Sequence, residues 1–167
     1  MKNLLVFVLF TVLTSVANGQ TSFRQTSWGM TKQEVKQSEN LELKGEDTNY
    51  LSYQSTLAGY DCWVFYIFVD NTLTRAKYII DEKHSNQNDF ISDYNQMKKL
   101  LTKKYGEPEE DQTYWKDDLY KDDYEDWGFA VSLGQLAYFT RWETSETIIL
   151  HMLSGENYSI THQIEYT

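Results

Sequence analysis

A single cysteine, Cys62, stands in the whole chain, so no intramolecular disulfide can form and the fold must be held by its core. Cys62 lies within an apolar strand pattern, where a buried, inert thiol is expected rather than a nucleophile. Histidine is almost as scarce: His84, His151 and His162 are the only imidazoles that could serve a nucleophile as general base. No G-x-S-x-G elbow or other nucleophile signature accompanies them, and they read as a loop residue and two outward-facing strand residues that could come close together. A histidine metal site would need a third ligand that cannot be named. Basic residues are in deficit, with 15 Lys and Arg against 25 Asp and Glu. That balance disfavours nucleic acid and anionic membrane as partners, since both reward positive charge.

A long hydrophobic run is missing too. The most apolar stretch, Leu4 to Val16, is 13 residues long and includes Thr11, Thr14 and Ser15. About 20 apolar residues are needed to cross a bilayer. With Lys2 before it and Ala17-Asn18-Gly19 after it, the stretch reads as a secretory signal over residues 1–19, with the mature chain starting at Gln20. Its removal takes one Lys and no acid, for a net charge of −11. No cysteine near the cleavage site could accept lipid. The expectation is a secreted or periplasmic bacterial product, monomeric, with no membrane span after cleavage. Residues 20–167 are the length of one domain, and about 150 residues can bury roughly 70% of their unfolded surface.

What is abundant is aromatic: 13 Tyr, 8 Phe and 5 Trp. At alternating positions such residues mark sheet faces. The one long helical pattern is Asn88 to Gly106, where Phe90, Tyr94, Met97, Leu101 and Tyr105 share one face. Asn88 reads as its N-cap, and Gly106 with the lone proline, Pro108, as its stop. A shorter helix, Lys32 to Ser38, is announced by a capping box of Thr31 and Glu34 and by a staple of Met30 and Val35. Trp28 should tuck under this helix start, with Gly29 allowing a tight approach.

After a polar connection over 44–49, three strands are expected at Tyr50 to Leu57, Tyr60 to Val69 and Thr72 to Ile80. Asp70-Asn71 forms the second turn and one register sets Trp63 opposite Tyr78, Phe65 opposite Ala76 and Phe68 opposite Leu73. YDCWVFYIFV is apolar on both faces and reads as an interior strand. Three more are expected at Gln135 to Trp142, Thr147 to Leu153 and Tyr158 to Tyr166, with turns at 143–146 and 155–157. Trp127 to Gly134 fits a short helix or a strand. The class is therefore α+β, antiparallel sheet covered by helices, with a tandem α-βββ repeat over about 23–81 and 88–167.

The most distinctive surface is the acidic aromatic segment 107–127, where ten acids interleave with Tyr114, Trp115, Leu119, Tyr120 and Tyr124. Tyr114, Trp115, Asp117, Asp118, Tyr120, Asp122, Asp123 and Trp127 are the candidate partner-binding residues. Aromatic anchors dominate interfaces, and the acids would steer a basic partner. The bland alternative is that Trp115, Leu119 and Tyr120 pack the segment onto the sheet while the acids form a solvated face. Asp117, Asp118, Asp122, Asp123, Glu125 and Asp126 could offer oxygens to Ca²⁺, but their spacing misses the D-x-D-x-D-G loop. Paired carboxylates beside a Trp could serve a glycosidase. No catalytic residue, cofactor site or metal site is assigned.

Gly29-Met30-Thr31 with Val35 resembles the helix start of the outer-membrane-assembly lipoprotein family called SmpA or BamE, and of β-lactamase-inhibitor-like domains built from α-β repeats. Tyr105-Gly106-Glu107-Pro108, with Trp142, Ile148, Leu150, Ile164 and Tyr166, resembles uncharacterised secreted bacterial families with a helix and a β-meander. The chain departs from the lipoproteins in lacking their lipid-accepting cysteine. The resemblance implies a fold type and a non-catalytic tendency. The expected function is an exported binding or structural module that contacts another protein, the alternative being a glycan-acting enzyme or a Ca²⁺-binding domain using residues 107–127.

Overall fold

The computed structural model describes residues 22–167. The signal-sequence reading of residues 1–19, and the start at Gln20, lie outside the described residues. Along the chain come α1 (Lys32–Ser38), β1 (Leu43–Asp47), β2 (Tyr50–Leu57), β3 (Tyr60–Val69), β4 (Thr72–Ile80), α2 (Asn88–Tyr105), β5 (Glu110–Trp115), α3 (Trp127–Ser132), β6 (Leu136–Glu143), β7 (Ile148–Glu156) and β8 (Ser159–Tyr166). A single turn of 3-10 helix, Tyr124–Asp126, leads into α3. The strands form one 8-stranded sheet in the order β1-β2-β3-β4-β8-β7-β6-β5, every neighbouring pair antiparallel. The α+β class is as expected, and the order reads alike from either edge, each half being a helix followed by four strands, with α3 inserted between β5 and β6 in the second.

The fourth strand of each half corrects the expectation of three. β1 occupies what reads as a polar connection, and β5 lies inside the acidic segment. Both are edge strands exposed along most of their length, so neither carries the alternating apolar pattern that announces a strand. The β3–β4 register also differs. Phe68 does face Leu73, but an irregularity between Ile67 and Phe68 slips the rest by one residue, setting Val64 opposite Tyr78 and Tyr66 opposite Ala76. Trp63 consequently faces Ile79, and Phe65 faces Lys77. Asp70 and Asn71 both take positive φ, 48° and 60°, as a two-residue hairpin requires. The β7–β8 turn falls at Asn157-Tyr158, φ 51° and 65°, placing Tyr158 in the turn and not in the strand.

α1 starts as read: Thr31 and Glu34 form the full capping box and Val35 is buried. Gly29 serves through its φ of 89°, since a Cβ there would touch nothing. Its neighbour Trp28 packs against the core and donates from Nε1 to Thr147 Oγ1 at 3.0 Å. The start of α2 differs from the reading. Gln87 is the N-cap, without a side-chain bond, because the Asn88 side chain is engaged by the other end of the fold. It accepts from Gly128 N at 2.6 Å and donates to the carbonyls of Tyr124 and Glu125, both at 3.0 Å. The buried face of α2 is Ile91, Tyr94, Met97 and Leu101 with Asp93, while Phe90 and Tyr105 are only partly covered.

Two apolar clusters fill the space between helices and sheet. One joins α1 to the inward residues of β2, β3, β4 and β8, with Met97 and Leu101 from α2. Another joins Ile91 and Tyr94 to α3, β6 and β7. The alternate residues of β3, including Trp63, Phe65 and Ile67, face the side opposite these helices and are half-buried among their neighbours.

Candidate functional site

Between the two clusters lies a buried polar group that sequence reading places on the outside. His151 on β7 and His162 on β8 point inward, 0% and 3% exposed, because the period of each strand puts them in phase with Ile149, Leu153, Ile164 and Tyr166. Their Nε2 atoms are 2.8 Å apart. One ring must donate and the other accept, and burial of both rings favours the uncharged pair. Both Nδ1 atoms are buried without a partner among the described residues. Burial, with His162 and Lys98 nearby, lowers the His151 pKa well below the ordinary value. Burial likewise lowers His162, to about 4, against a small opposing pull from Asp93.

Tyr94 of α2 stacks on His151, centroids 4.1 Å apart and planes 12° apart. Its hydroxyl lies 2.5 Å from Thr140 Oγ1, and Thr140 in turn donates to Asp111 Oδ1 at 3.1 Å. A carboxylate only accepts, so the direction of this chain runs from Tyr94 through Thr140 to Asp111, which Lys98 neutralises at 2.9 Å. Among the described residues neither ring of the pair bonds to a serine, threonine, cysteine or carboxylate, so no nucleophile and base stand together here. His84, in the loop before α2, instead meets Asp93 at 2.6 Å. Cys62 is buried as expected, and its thiol is pushed up to about 11 by burial.

The acidic segment divides its residues between core and surface. Trp115 and Tyr120 pack against the second cluster, as the bland alternative requires, and Trp127 joins them. Leu119 does not: it is 71% exposed, and Tyr114 and Tyr124 are 54% and 59% exposed. The rings form two trios. In one, Trp127 contacts Trp115 at 5.6 Å and Tyr124 at 5.0 Å. In the other, Phe129 contacts Tyr120 at 5.6 Å and Tyr158 at 6.2 Å. Phe129 and Tyr158, the latter 70% exposed, are missing from the sequence-based set. Phe129 belongs to a stretch read as helix or strand, and Tyr158 to a strand, so neither could be placed beside the segment.

The acids Asp117, Asp118, Asp122 and Asp123 are all exposed. Asp117 accepts from Leu119 N at 2.9 Å, Asp123 from Glu125 N at 3.2 Å, and Asp118 pairs with Lys121 at 3.1 Å. They shape the loop and leave its charge in solvent. Among the described residues no three His, Cys, Asp or Glu side chains are gathered as a metal ion would need. No described helix is long and apolar enough to cross a membrane.

Compared with known proteins, the chain matches no family model, no curated protein and no solved structure. The resemblance drawn from Gly29-Met30-Thr31 and Tyr105-Gly106-Glu107-Pro108 therefore rests on those residues alone.

Proposed function

We propose that this is an exported, non-catalytic binding module that docks a basic partner protein on the surface formed by residues 107–127, Phe129 and Tyr158. The observation that carries the reading is the exposure of Tyr124 and Tyr158, each a member of a trio of contacting rings, with Leu119 exposed in the same loop and Tyr114 exposed on the other face of β5. Large apolar groups in a contiguous patch cost solubility unless a partner covers them, and aromatic anchors ringed by polar groups are the usual composition of an interface centre. The apolar side chains facing outward on β3 support the reading less well, since Trp63, Phe65 and Ile67 are sheltered by their neighbours. Interleaved acids, in a mature chain of net charge −11, select a basic partner and speed its approach at low salt.

Capture from the exported fraction of the source cell tests this. Wild type should retain a basic protein that a Tyr114→Ala/Leu119→Ala/Tyr124→Ala/Tyr158→Ala variant of unchanged melting temperature loses. Substituting Asn for Asp117, Asp118, Asp122 and Asp123 should slow association and flatten its salt dependence. Equal capture by wild type and both variants would remove this surface from the functional account.

A further inference from the structure

The two halves of the sheet meet where β4 pairs with β8, and there the described residues leave the inner face incompletely covered. A cavity of about 360 Å³ opens at this junction, between the N-terminal turn at Ser22 to Arg24 and the C-terminal end of α2. That volume is at the lower end of the range of small-molecule sites. One wall is aromatic: Phe23 lies 5.0 Å from Tyr78 and 4.9 Å from Tyr166, centroid to centroid. Ile149 adds to the apolar lining.

The polar lining is rich in donors. Arg24 gives Nε to Glu39 Oε2 at 2.9 Å and Nη2 to Glu39 Oε1 at 3.3 Å, so its charge is balanced, but it retains Nη1. Tyr78 lines the cavity beside it and brings a phenol proton to the same wall. Tyr105 and Tyr166 both line the cavity, ring centroids 6.5 Å apart, and each phenol carries a proton that it can give. Burial raises Tyr78 and Tyr166 above the ordinary phenol value, keeping both neutral. Lys104 lies at the mouth over the Tyr105 ring, 4.8 Å from its centroid, with no ion pair among the described residues. Glu146 is the one acidic side chain of the lining.

Arg24 adds a second observation. Its φ of 52° is a conformation that costs a non-glycine residue about 1 kcal/mol or more and survives only where the surroundings enforce it. They do: Phe23 is buried, Thr26 Oγ1 and N both bond to Phe23 O, and Glu39 grips the guanidinium. Tyr66, donating to Glu39 at 2.6 Å, fixes the carboxylate in turn. The guanidinium is thus held at the cavity wall before any ligand arrives.

From these features we infer that the cavity binds a small organic acid, a carboxylate on a planar apolar body, with the body against Phe23, Tyr78 and Tyr166 and the carboxylate on Arg24, Lys104 and the phenol protons. A neutral molecule of the same shape would leave those donors unpaired. A bare inorganic anion would forgo the aromatic wall. The site shares no residue with the partner surface, so it stands or falls apart from it.

The test is titration of benzoate, benzyl alcohol and inorganic phosphate into the protein purified from the exported fraction, followed by calorimetry. Benzoate should bind saturably with a Kd below about 1 mM, and benzyl alcohol roughly tenfold more weakly. Phosphate should not displace benzoate. Lys104→Ala and Tyr105→Phe, both at the half-open rim and so safe for folding, should each weaken benzoate several-fold and leave benzyl alcohol unchanged. The inference is overturned if folded protein shows no saturable benzoate binding up to about 10 mM. Displacement by phosphate at equal concentration, or unaltered benzoate affinity in both variants, would overturn it too.

Discussion

Lowering the pH from 7.5 to 5.0 should destabilise this protein through one buried pair, His151 and His162. A group whose folded pKa lies below its unfolded value contributes stability at high pH that is lost as protons bind the unfolded chain first. With His162 near 4 when folded and 6.5 when free, the window of loss runs from about 6.5 down to 4. Each pH unit inside that window is worth about 1.36 kcal/mol per proton. Between pH 6.5 and 5.0 His162 alone therefore accounts for about 2 kcal/mol, a sizeable part of the 5–15 kcal/mol that ordinary domains possess. His151 is lowered in the same direction. A proton on the accepting Nε2 removes the acceptor, and protonating both rings sets two charges side by side, so the two do not contribute independently. Glu34 and Glu39 are held below the usual carboxylate range by hydrogen bonds that outweigh burial, and so act only at lower pH. The variants that isolate the pair are His151→Leu, His162→Leu and the double substitution. Each single change strands an imidazole in the core at a cost of about 1–3 kcal/mol, whereas replacing both rings by apolar groups is close to neutral at pH 7.5. The assay is urea unfolding at pH 7.5 and 5.0, compared as a double-mutant cycle. Wild-type stability that is flat across this range, or a double variant that keeps the wild-type slope, would refute the reasoning.

Gly128→Ala should be the most damaging small substitution outside the sheet, costing about 3 kcal/mol or preventing folding. A Cβ there would overlap the backbone of Gln87 and Asn88, which cannot yield as a side chain could; thermal unfolding reads the loss. Cys62→Ala should cost on the order of 1 kcal/mol in urea unfolding and leave a monomer, as expected of a buried thiol without a bridging role. A covalent dimer that is lost on reduction and in the variant would contradict it.

The elements legible in the chain are those whose chemistry is local. Thr31 and Glu34 announce α1 because a capping box needs only residues three apart, and the i, i+3, i+4 spacing of Tyr94, Met97 and Leu101 announces α2. What stayed hidden depends on contacts distant in sequence. Asn88 has the chemistry of an N-cap, yet Gly128 N, 40 residues on, takes its carbonyl oxygen. β1 and β5 have little apolar surface to bury and exist as strands because β2 and β6 supply hydrogen-bond partners. The histidines mislead for a similar reason: alternation shows that His151 and His162 share the phase of Ile149 and Ile164, but an imidazole is accepted on the inner face only because the other ring is there to meet it. The acidic segment was readable as a surface, while its trios of rings required knowing that α3 and the β7–β8 turn come beside it.

The same topology explains why the two proposed sites fall where they do. Each half is opened by one helix, the second also having α3 between β5 and β6, and the halves join through their last strands, so no helix is obliged to cover the β4–β8 seam. α1 is only 7 residues long and α2 is 18, about 27 Å at 1.5 Å per residue. Only α2 can therefore cross the seam's neighbourhood, and it ends beside the cavity with Lys104 and Tyr105 while its start abuts the 3-10 turn and α3 through Asn88. The cavity and the ring surface thus sit near opposite ends of one helix, with the histidine pair beneath Tyr94 between them. Sites that far apart with no shared partners ordinarily act additively. Here the rigid body linking them is α2 itself, seated on two apolar clusters through Ile91, Tyr94, Met97 and Leu101, so any coupling between a bound acid and a docked partner would have to shift the seating of that helix.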